Sequence, residues 1–192
     1  MAQHVGLDER HRVVATCIIH RRLRWWKRTE YLIKERAKIG GSPYPGKWEV
    51  VGGGMQPSLD YENRKMDNHD GWENVLARFT IPRETDEEVG LVIGTPRPLG
   101  DFVFLRDDGV PVLGMRYVAE YVSGKVVLDE EATESKWIYA SEVGDYDLIG
   151  TIAEDIKFVD HGLKQWFLRI YDWCMETVRW GFGIRKKEAA YF

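Results

Sequence analysis

Short apolar runs, separated by glycine, proline and charged residues, recur along most of this chain and predict β-strands. The run RVVATCIIH, residues 12–20, predicts a buried strand, and YLIKERA, residues 31–37, predicts its hairpin partner. The segment RRLRWWKRTE lies between them as the hairpin tip. A third strand is predicted in WEVVGGGM, which runs into Gly52, Gly53 and Gly54. A short strand is predicted in LVI, and two longer ones in DFVFLRDDGVPVLGMRYVAEYV, on either side of a turn at residues 107–109. The last two predicted strands, KVVL and KWIYASEV, lie on either side of an acidic loop.

Two segments have helical patterns instead. Residues 72–90, WENVLARFTIPRETDEEVG, have helical character and stop at Gly90, where glycine is a common cap. Pro82 lies inside this segment, so either it kinks the helix or the regular part begins there. Apolar residues at 163, 166, 167, 170, 174 and 178 predict an amphipathic helix over about 161–180. With polar residues 56–71 as a long loop, these elements predict an α/β fold, a mixed sheet covered by helices.

Length and composition predict the domain organisation. The 192 residues (22.3 kDa) predict one domain over 11–182, with short segments at 1–10 and 183–192. A net charge of −4 disfavours a dominant contact with a nucleic-acid backbone. The longest apolar run, VVATCII, is too short to cross a membrane, and MAQHVGLDERHR contains no secretory signal. We therefore expect a cytoplasmic protein in which Cys17 and Cys174 are reduced core residues.

The most unusual polar segment is PRETDEEVGL, residues 82–91. On a helix, Glu84, Glu87 and Glu88 lie on one face about a turn apart, where like charges repel unless a cation compensates them. Mg²⁺ takes carboxylate oxygens and bridges to phosphates, so it is a natural partner. Arg83 is four residues before Glu87 and could orient it. A solvated helix face is the alternative interpretation.

The glycine triplet followed by REtdEEvGl resembles the Nudix box. The family pattern is Gly, five residues, Glu, seven residues, Arg-Glu, an apolar residue, any residue, Glu-Glu, any residue, Gly and an apolar residue. Its second half is matched by Arg83, Glu84, Glu87, Glu88, Gly90 and Leu91, with Thr85 at the usual apolar position. The flanking segments YPGKWEVVGGG and ESKWIYASEV are also similar to the family's, so that the resemblance covers roughly residues 12–146.

The first half of the box departs from this pattern. Counting back from Arg83, the first glutamate should fall at Val75 and the glycine at His69. The available glycines are Gly53 and Gly54, so the loop between glycine and helix has an insertion of about fifteen residues. In the family this glutamate braces the box arginine, and its loss here predicts a rebuilt start of the helix.

The resemblance implies a Nudix α/β/α sandwich and Mg²⁺-dependent hydrolysis, with Mn²⁺ as a second choice of metal. The substrate would be a nucleoside diphosphate linked to another moiety. Metal ligands would be Glu84, Glu87 and Glu88. A further carboxylate, acting as ligand or general base, would come from DEEATE, where Glu130, Glu131 and Glu134 are available and Glu131 and Glu134 are favoured. Gly53 and Gly54 would allow a close approach of the backbone to the substrate.

The hairpin tip RRLRWWKR is a second candidate for substrate binding. Arg22 and Arg24 could contact phosphates, and Trp25 or Trp26 could stack on a base of a nucleotide or of RNA. Tryptophans that pack on the core or on a partner subunit are the alternative. The aromatic residues of the terminal helix would likewise suit either the core or a homodimer interface.

Two other functions compete with hydrolysis. A non-catalytic Nudix-fold module would keep nucleotide binding and lose turnover because the box is altered. A prenyl-diphosphate isomerase, found on a related fold, would need a catalytic cysteine, and neither Cys17 nor Cys174 is well placed. Nucleoside triphosphates, nucleotide sugars, ADP-ribose and dinucleoside polyphosphates all stay open as substrates.

Overall fold

The protein is a mixed β-sheet with helices on both faces. A computed structural model describes residues 11–22, 28–38, 44–60, 75–106 and 109–181, with side chains up to Trp166. The strands are β1 Arg12–Arg21, β2 Glu30–Arg36, β3 Trp48–Glu49, β4 Val51–Gly54, β5 Leu91–Ile93, β6 Arg97–Leu105, β7 Pro111–Gly124 and β8 Ala132–Tyr139. The helices are α1 Pro57–Asp60, α2 Ile81–Val89 and α3 Ile152–Gly181, with a 3₁₀ turn at Val143–Asp145.

Strand β1 is central and contacts three other strands. It runs parallel to β7 along nearly its whole length and antiparallel to β4 through Val14–Cys17. It pairs with β2 only where His20 and Arg21 meet Tyr31 and Glu30. The predicted hairpin is therefore confirmed, but its strands separate after two residue pairs, and β2 continues along β3 and β8.

The sheet separates two hydrophobic cores. Alternate residues of β1, Ala15, Cys17 and Ile19, face the helical segment 76–89, whose Leu76, Ile81 and Val89 are also buried. The opposite face packs against α3, through Ile18, Tyr31, Ile33, Ile156 and Val159. This arrangement follows from the period of two along a strand, and it confirms the predicted α/β/α architecture.

Cys17 is a core residue, as predicted. It is a free thiol with no exposed surface, and burial raises its pKa. Such a thiol is a poor nucleophile, which disfavours the isomerase alternative. The side chain of Cys174 lies outside the described part.

Pro82 is accommodated by a change of helix type. A π-helical segment, Leu76–Thr80, leads without a break into α2, and Pro82 occupies the first turn of α2. Proline has no N–H, and in an α-helix its ring would meet the carbonyl of residue 78. The wider π-turn before it relieves that conflict. The second expectation agrees with this, since the regular α-helical part begins at Ile81, one residue before Pro82.

Gly90 ends α2 as predicted, in a left-handed conformation with φ of 63°. Its N–H donates to the carbonyl of Asp86. We expect Gly90→Ala to lower the free energy of unfolding by about 1 kcal/mol, since a Cβ disfavours this conformation.

Urea denaturation measures this effect, and Gly162→Ala is a matched control. Gly162 lies in α3 with no atom within 4 Å of an added Cβ. There, alanine should raise stability by about 0.5–1 kcal/mol. A Gly90→Ala protein as stable as the wild type would contradict the proposed role of the cap.

Several elements differ from the predictions. Residues 125–128, KVVL, are not a strand, because this segment passes the end of α2, where the Val127 and Asp129 N–H groups donate to Val89 and Glu88 carbonyls. Helix α3 begins at Ile152, well before the predicted start at about residue 161. The predicted loop 56–71 begins with the short helix α1.

Helix α3 spans 30 residues and carries both charged and apolar groups. Within the described ranges, no helix combines the length and apolar content that crossing a membrane requires.

Candidate active site

Arg83 forms hydrogen bonds to several of the polar groups around α2. Its Nε donates to Asp60 Oδ1 at 3.0 Å, and its Nη2 donates to the Gly54 carbonyl at 3.2 Å. Its Nη1 donates to Glu84 and Glu87, in each case at 2.9 Å. One guanidinium thus connects α1, the end of β4 and two of the box glutamates. The expectation that Arg83 could orient Glu87 agrees with this geometry.

Asp60 is completely buried and accepts hydrogen bonds from several donors. Besides Arg83, these are the Thr80 hydroxyl and the Gln56 N–H, both at 2.8 Å. Burial alone would raise the pKa of Asp60, but the hydrogen bonds from Arg83, Gln56 and Thr80 outweigh it and hold the pKa below its usual range. Asp60 is therefore a fixed anion that anchors Arg83.

Asp60 also corrects the interpretation of the first half of the box. It lies six residues after Gly54, the offset of the family's first glutamate from its glycine, and it braces the arginine as that glutamate does. The expected loss of this group does not occur. The insertion lies between Asp60 and α2, and most of it, residues 61–74, is outside the described part.

Glu84 lies against the glycine strand. A Cβ on Gly53 would overlap the Glu84 carboxylate, so any other residue here would displace that carboxylate from its present position. Burial raises the pKa of Glu84, with the adjacent Arg83 acting in the opposite direction. Gly53 thus leaves room for the Glu84 carboxylate beside β4.

Glu88 is held by two donors beneath the cleft. The Gly52 N–H donates to one of its oxygens at 3.0 Å, and Lys34 Nζ lies 3.3 Å from the other. Lys34 is almost fully buried on β2 and also contacts Glu49 at 2.8 Å. Burial raises the pKa of Glu88 to about 7 despite Lys34. For Lys34, the neighbouring carboxylates outweigh burial and raise the pKa.

The glutamates of α2 line one cleft of about 730 Å³. The cleft opens at the end of β4, around Gly53 and Gly54, and contains a second acidic wall. Asp129 and Glu131 lie on this wall, and the Glu131 N–H donates to the Asp129 carboxylate at 3.0 Å. The structure thus gathers Glu84, Glu87, Glu88 and Glu131 with both glycines.

Glu134 is not brought to this cleft. It lies on β8 opposite Glu35, and its carboxylate contacts Lys136 at 3.3 Å. The acidic loop DEEATE is shorter than expected, because β8 already begins at Ala132. Of the two favoured downstream carboxylates, only Glu131 lines the cleft.

The hairpin tip is at the other end of β1. Arg22 donates to Thr29 at 3.3 Å, and ten residues of extended chain, about 30 Å, separate it from Arg12 at the cleft. Arg24 and Trp25 lie outside the described residues. The structure does not bring Arg22 to the acidic cleft.

The cleft fits a divalent cation in its chemistry. Carboxylate oxygens are the ligands that Mg²⁺ prefers. The raised pKa values of Glu84 and Glu88 mean that additional positive charge would stabilise their ionised forms. Within the described part of the chain, no three acidic, histidine or cysteine side chains converge on a single point, and the glutamates face Arg83 and Lys34 instead.

Solved structures of Nudix proteins match this fold. The MutT protein of Methanosarcina mazei superposes with a TM-score of 0.60 over 83% of this chain and 99% of its own, at 19% identity. The Nudix domain of Shewanella oneidensis NrtR, complexed with ADP-ribose, superposes with a TM-score of 0.57 over 77% of this chain and 87% of its own, at 14% identity. A C. elegans Ap4A hydrolase superposes with a TM-score of 0.55 over 80% of this chain and 98% of its own, at 18% identity.

Comparison of the sequence with family models and with curated proteins gives no match. The structural matches establish that the chain has the Nudix fold, as the resemblance implied.

Proposed function

We propose that this chain is a Nudix hydrolase that cleaves a phosphate anhydride bond with Mg²⁺ or Mn²⁺. Its substrate would be a nucleoside diphosphate linked to another moiety. One observation carries the proposal: Glu84, Glu87 and Glu88 line one cleft beside the glycine strand, next to an arginine anchored by Asp60. A cleft of about 730 Å³ is in the range that holds a nucleotide-sized ligand.

In the proposed reaction, a water oxygen forms a bond to one phosphorus of the diphosphate. The bond from that phosphorus to the bridging oxygen breaks, and its electron pair leaves with the other phosphate. A divalent cation held by Glu84, Glu87 and Glu88 would offset the charge of the diphosphate and make a water molecule more acidic.

The chain's own residues would divide the remaining tasks. Arg83 would orient Glu84 and Glu87, which it contacts directly. Glu131 would accept the proton of the attacking water, because it is a carboxylate on the opposite wall of the cleft. We favour it over Glu134, which lies outside the lining.

A non-catalytic nucleotide-binding module is the second candidate, and a specific observation favours it. Each box glutamate already has a cationic partner, Arg83 for Glu84 and Glu87 and Lys34 for Glu88. The charge of the glutamates is therefore partly compensated without a bound metal. A protein that binds its ligand without hydrolysing it could also retain these three glutamates.

A substrate panel separates the two candidates. We would incubate the protein with nucleoside triphosphates, including oxidised ones, nucleotide sugars, ADP-ribose and dinucleoside polyphosphates, and measure phosphate or monophosphate release. We expect turnover that requires Mg²⁺ or Mn²⁺ and stops on addition of a chelator. Saturable binding of one compound, with no turnover across the panel, would favour the module instead.

A further inference from the structure

The end of β4 separates Arg12 from the box glutamates within the cleft. Successive residues of a strand point to opposite faces. Glu84 packs against Gly53, whereas the guanidinium of Arg12 lies over Gly54, where an added Cβ would be 3.2 Å from Arg12 Nη2. Both side chains nevertheless line the same cleft. The cleft therefore wraps around the strand end, with the box glutamates on one side and Arg12 on the other.

Arg12 differs from the other cations of this region. Lys34 is held by Glu49 and Glu88, and Arg83 by Asp60 and two box glutamates. Arg36 also lines the cleft, but it donates to both oxygens of Glu49 at 2.8 Å. Arg12 is exposed and forms no ion pair among the residues that the structure describes. It is thus available to an anion from solution.

A diphosphate needs positive charge at both of its phosphates. A cation held by the box glutamates would lie on their side of the strand end, so a phosphate on the other side has to be met by the protein's own cations. The Gly52 N–H, which lies nearby, is already used by Glu88. A guanidinium binds phosphate oxygens in pairs through its planar array of N–H groups. Of the cations just compared, Arg12 is the one with this capacity free.

We infer that Arg12 forms an anion subsite in the cleft, which binds the phosphate of a diphosphate that lies away from the glutamates. The inference rests on the proposed function, since it assigns the second phosphate of the same substrate. It also gives a reason for Gly54, because a side chain there would crowd the position of the guanidinium.

The test measures binding separately from hydrolysis. Methylenediphosphonate is a diphosphate with a carbon bridge that resists hydrolysis, and its Kd in the presence of Mg²⁺ can be measured by isothermal titration calorimetry. We expect Arg12→Ala to raise this Kd by about tenfold or more, the effect of losing a charged hydrogen-bond donor. Arg12→Lys should fall between this variant and the wild type, because lysine keeps the charge and loses the paired geometry.

Arg97→Ala is the matched control. Arg97 is also an exposed arginine at the first position of a strand, but it lies outside the cleft. It should leave the Kd unchanged. Because Arg12 is exposed, its variants should unfold at the wild-type urea concentration.

The outcomes also separate this inference from the proposed function. If the panel gives no turnover but the wild type binds methylenediphosphonate through Arg12, the subsite stands and hydrolysis is wrong. If the panel gives turnover and Arg12→Ala keeps the wild-type Kd and KM, the subsite is wrong and hydrolysis stands. A wild-type protein that does not bind the probe would also overturn the subsite.

Discussion

Replacing Glu87 or Glu88 by glutamine should lower Mg²⁺-dependent hydrolysis of a phosphate anhydride by about 100-fold or more, the cost of removing one positioned electrostatic group. Glutamine keeps the size of the side chain but removes its negative charge. Glu88 is fixed between Lys34 and the Gly52 N–H, so its loss leaves a buried ammonium with one carboxylate fewer. Glu87 is half exposed and reaches the cleft directly. The measurement is kcat/KM on the best substrate of the panel.

Asp86→Asn is the control for both glutamate variants. Asp86 lies on the same helix, is exposed and does not line the cleft, so this variant should keep wild-type kcat/KM. Titration with Mn²⁺ would show separately whether each variant has lost metal affinity. Wild-type activity in both Glu87→Gln and Glu88→Gln would exclude the proposed role of α2.

The largest effect on stability is expected at Asp60. Asp60→Asn should lower the free energy of unfolding by about 3 kcal/mol, because removing one partner of a buried ion pair leaves the other charge uncompensated. The Asp60 side chain is 1% exposed and that of Arg83 14%. Arg83 would then keep only Glu84 and Glu87 as charged partners, so activity should fall as well. Urea denaturation at neutral pH measures the stability.

Asp147→Asn gives the matched comparison. Asp147 pairs with Lys47 at 3.1 Å, but their side chains are 70% and 41% exposed, so the loss should stay below about 0.5 kcal/mol. Equal effects at the two positions would contradict the role given to Asp60.

Acid provides a second check on Asp60. The pKa of Asp60 is lower in the folded protein than in the unfolded chain. Its contribution to folding stability is therefore complete at pH values above the unfolded-state pKa, and it is lost as the pH falls through the folded-state pKa. The difference in stability between wild type and Asp60→Asn should therefore shrink below about pH 4.

The sequence predicted the strands, the box helix and its glycine cap well, because period-two runs and a left-handed glycine are local signals. The role of Asp60 as the partner of Arg83 was missed for a reason that is not local. Counting backward from Arg83 crosses the insertion and ends at Val75, whereas counting forward from Gly54 reaches Asp60. Only the folded chain shows which count applies, since the contact between Asp60 and Arg83 spans 23 positions.

The sequence contains only weak indications that Lys34 and Arg12 belong to the site. Lys34 lies two residues after Leu32 on β2, so the two side chains point to the same face of the sheet. Leu32 packs towards α2, and Lys34 is therefore buried on that face beside Glu88. Arg12 is the first residue of its strand, where sequence alone gives no preference for the cleft. The emphasis on the hairpin tip followed from composition, which does not show at which end of β1 the cleft opens.

The hydrogen bond between Asp60 and Thr80, 2.8 Å long, has a consequence for how this chain can vary. It joins the two ends of the segment that contains residues 61–74, whatever conformation those residues adopt. For a loop whose ends are already joined, doubling its length costs only about 0.6 kcal/mol. Insertions and deletions at this position would therefore leave α2 and Arg83 in place, so that new sequence can be gained there without rebuilding the fold.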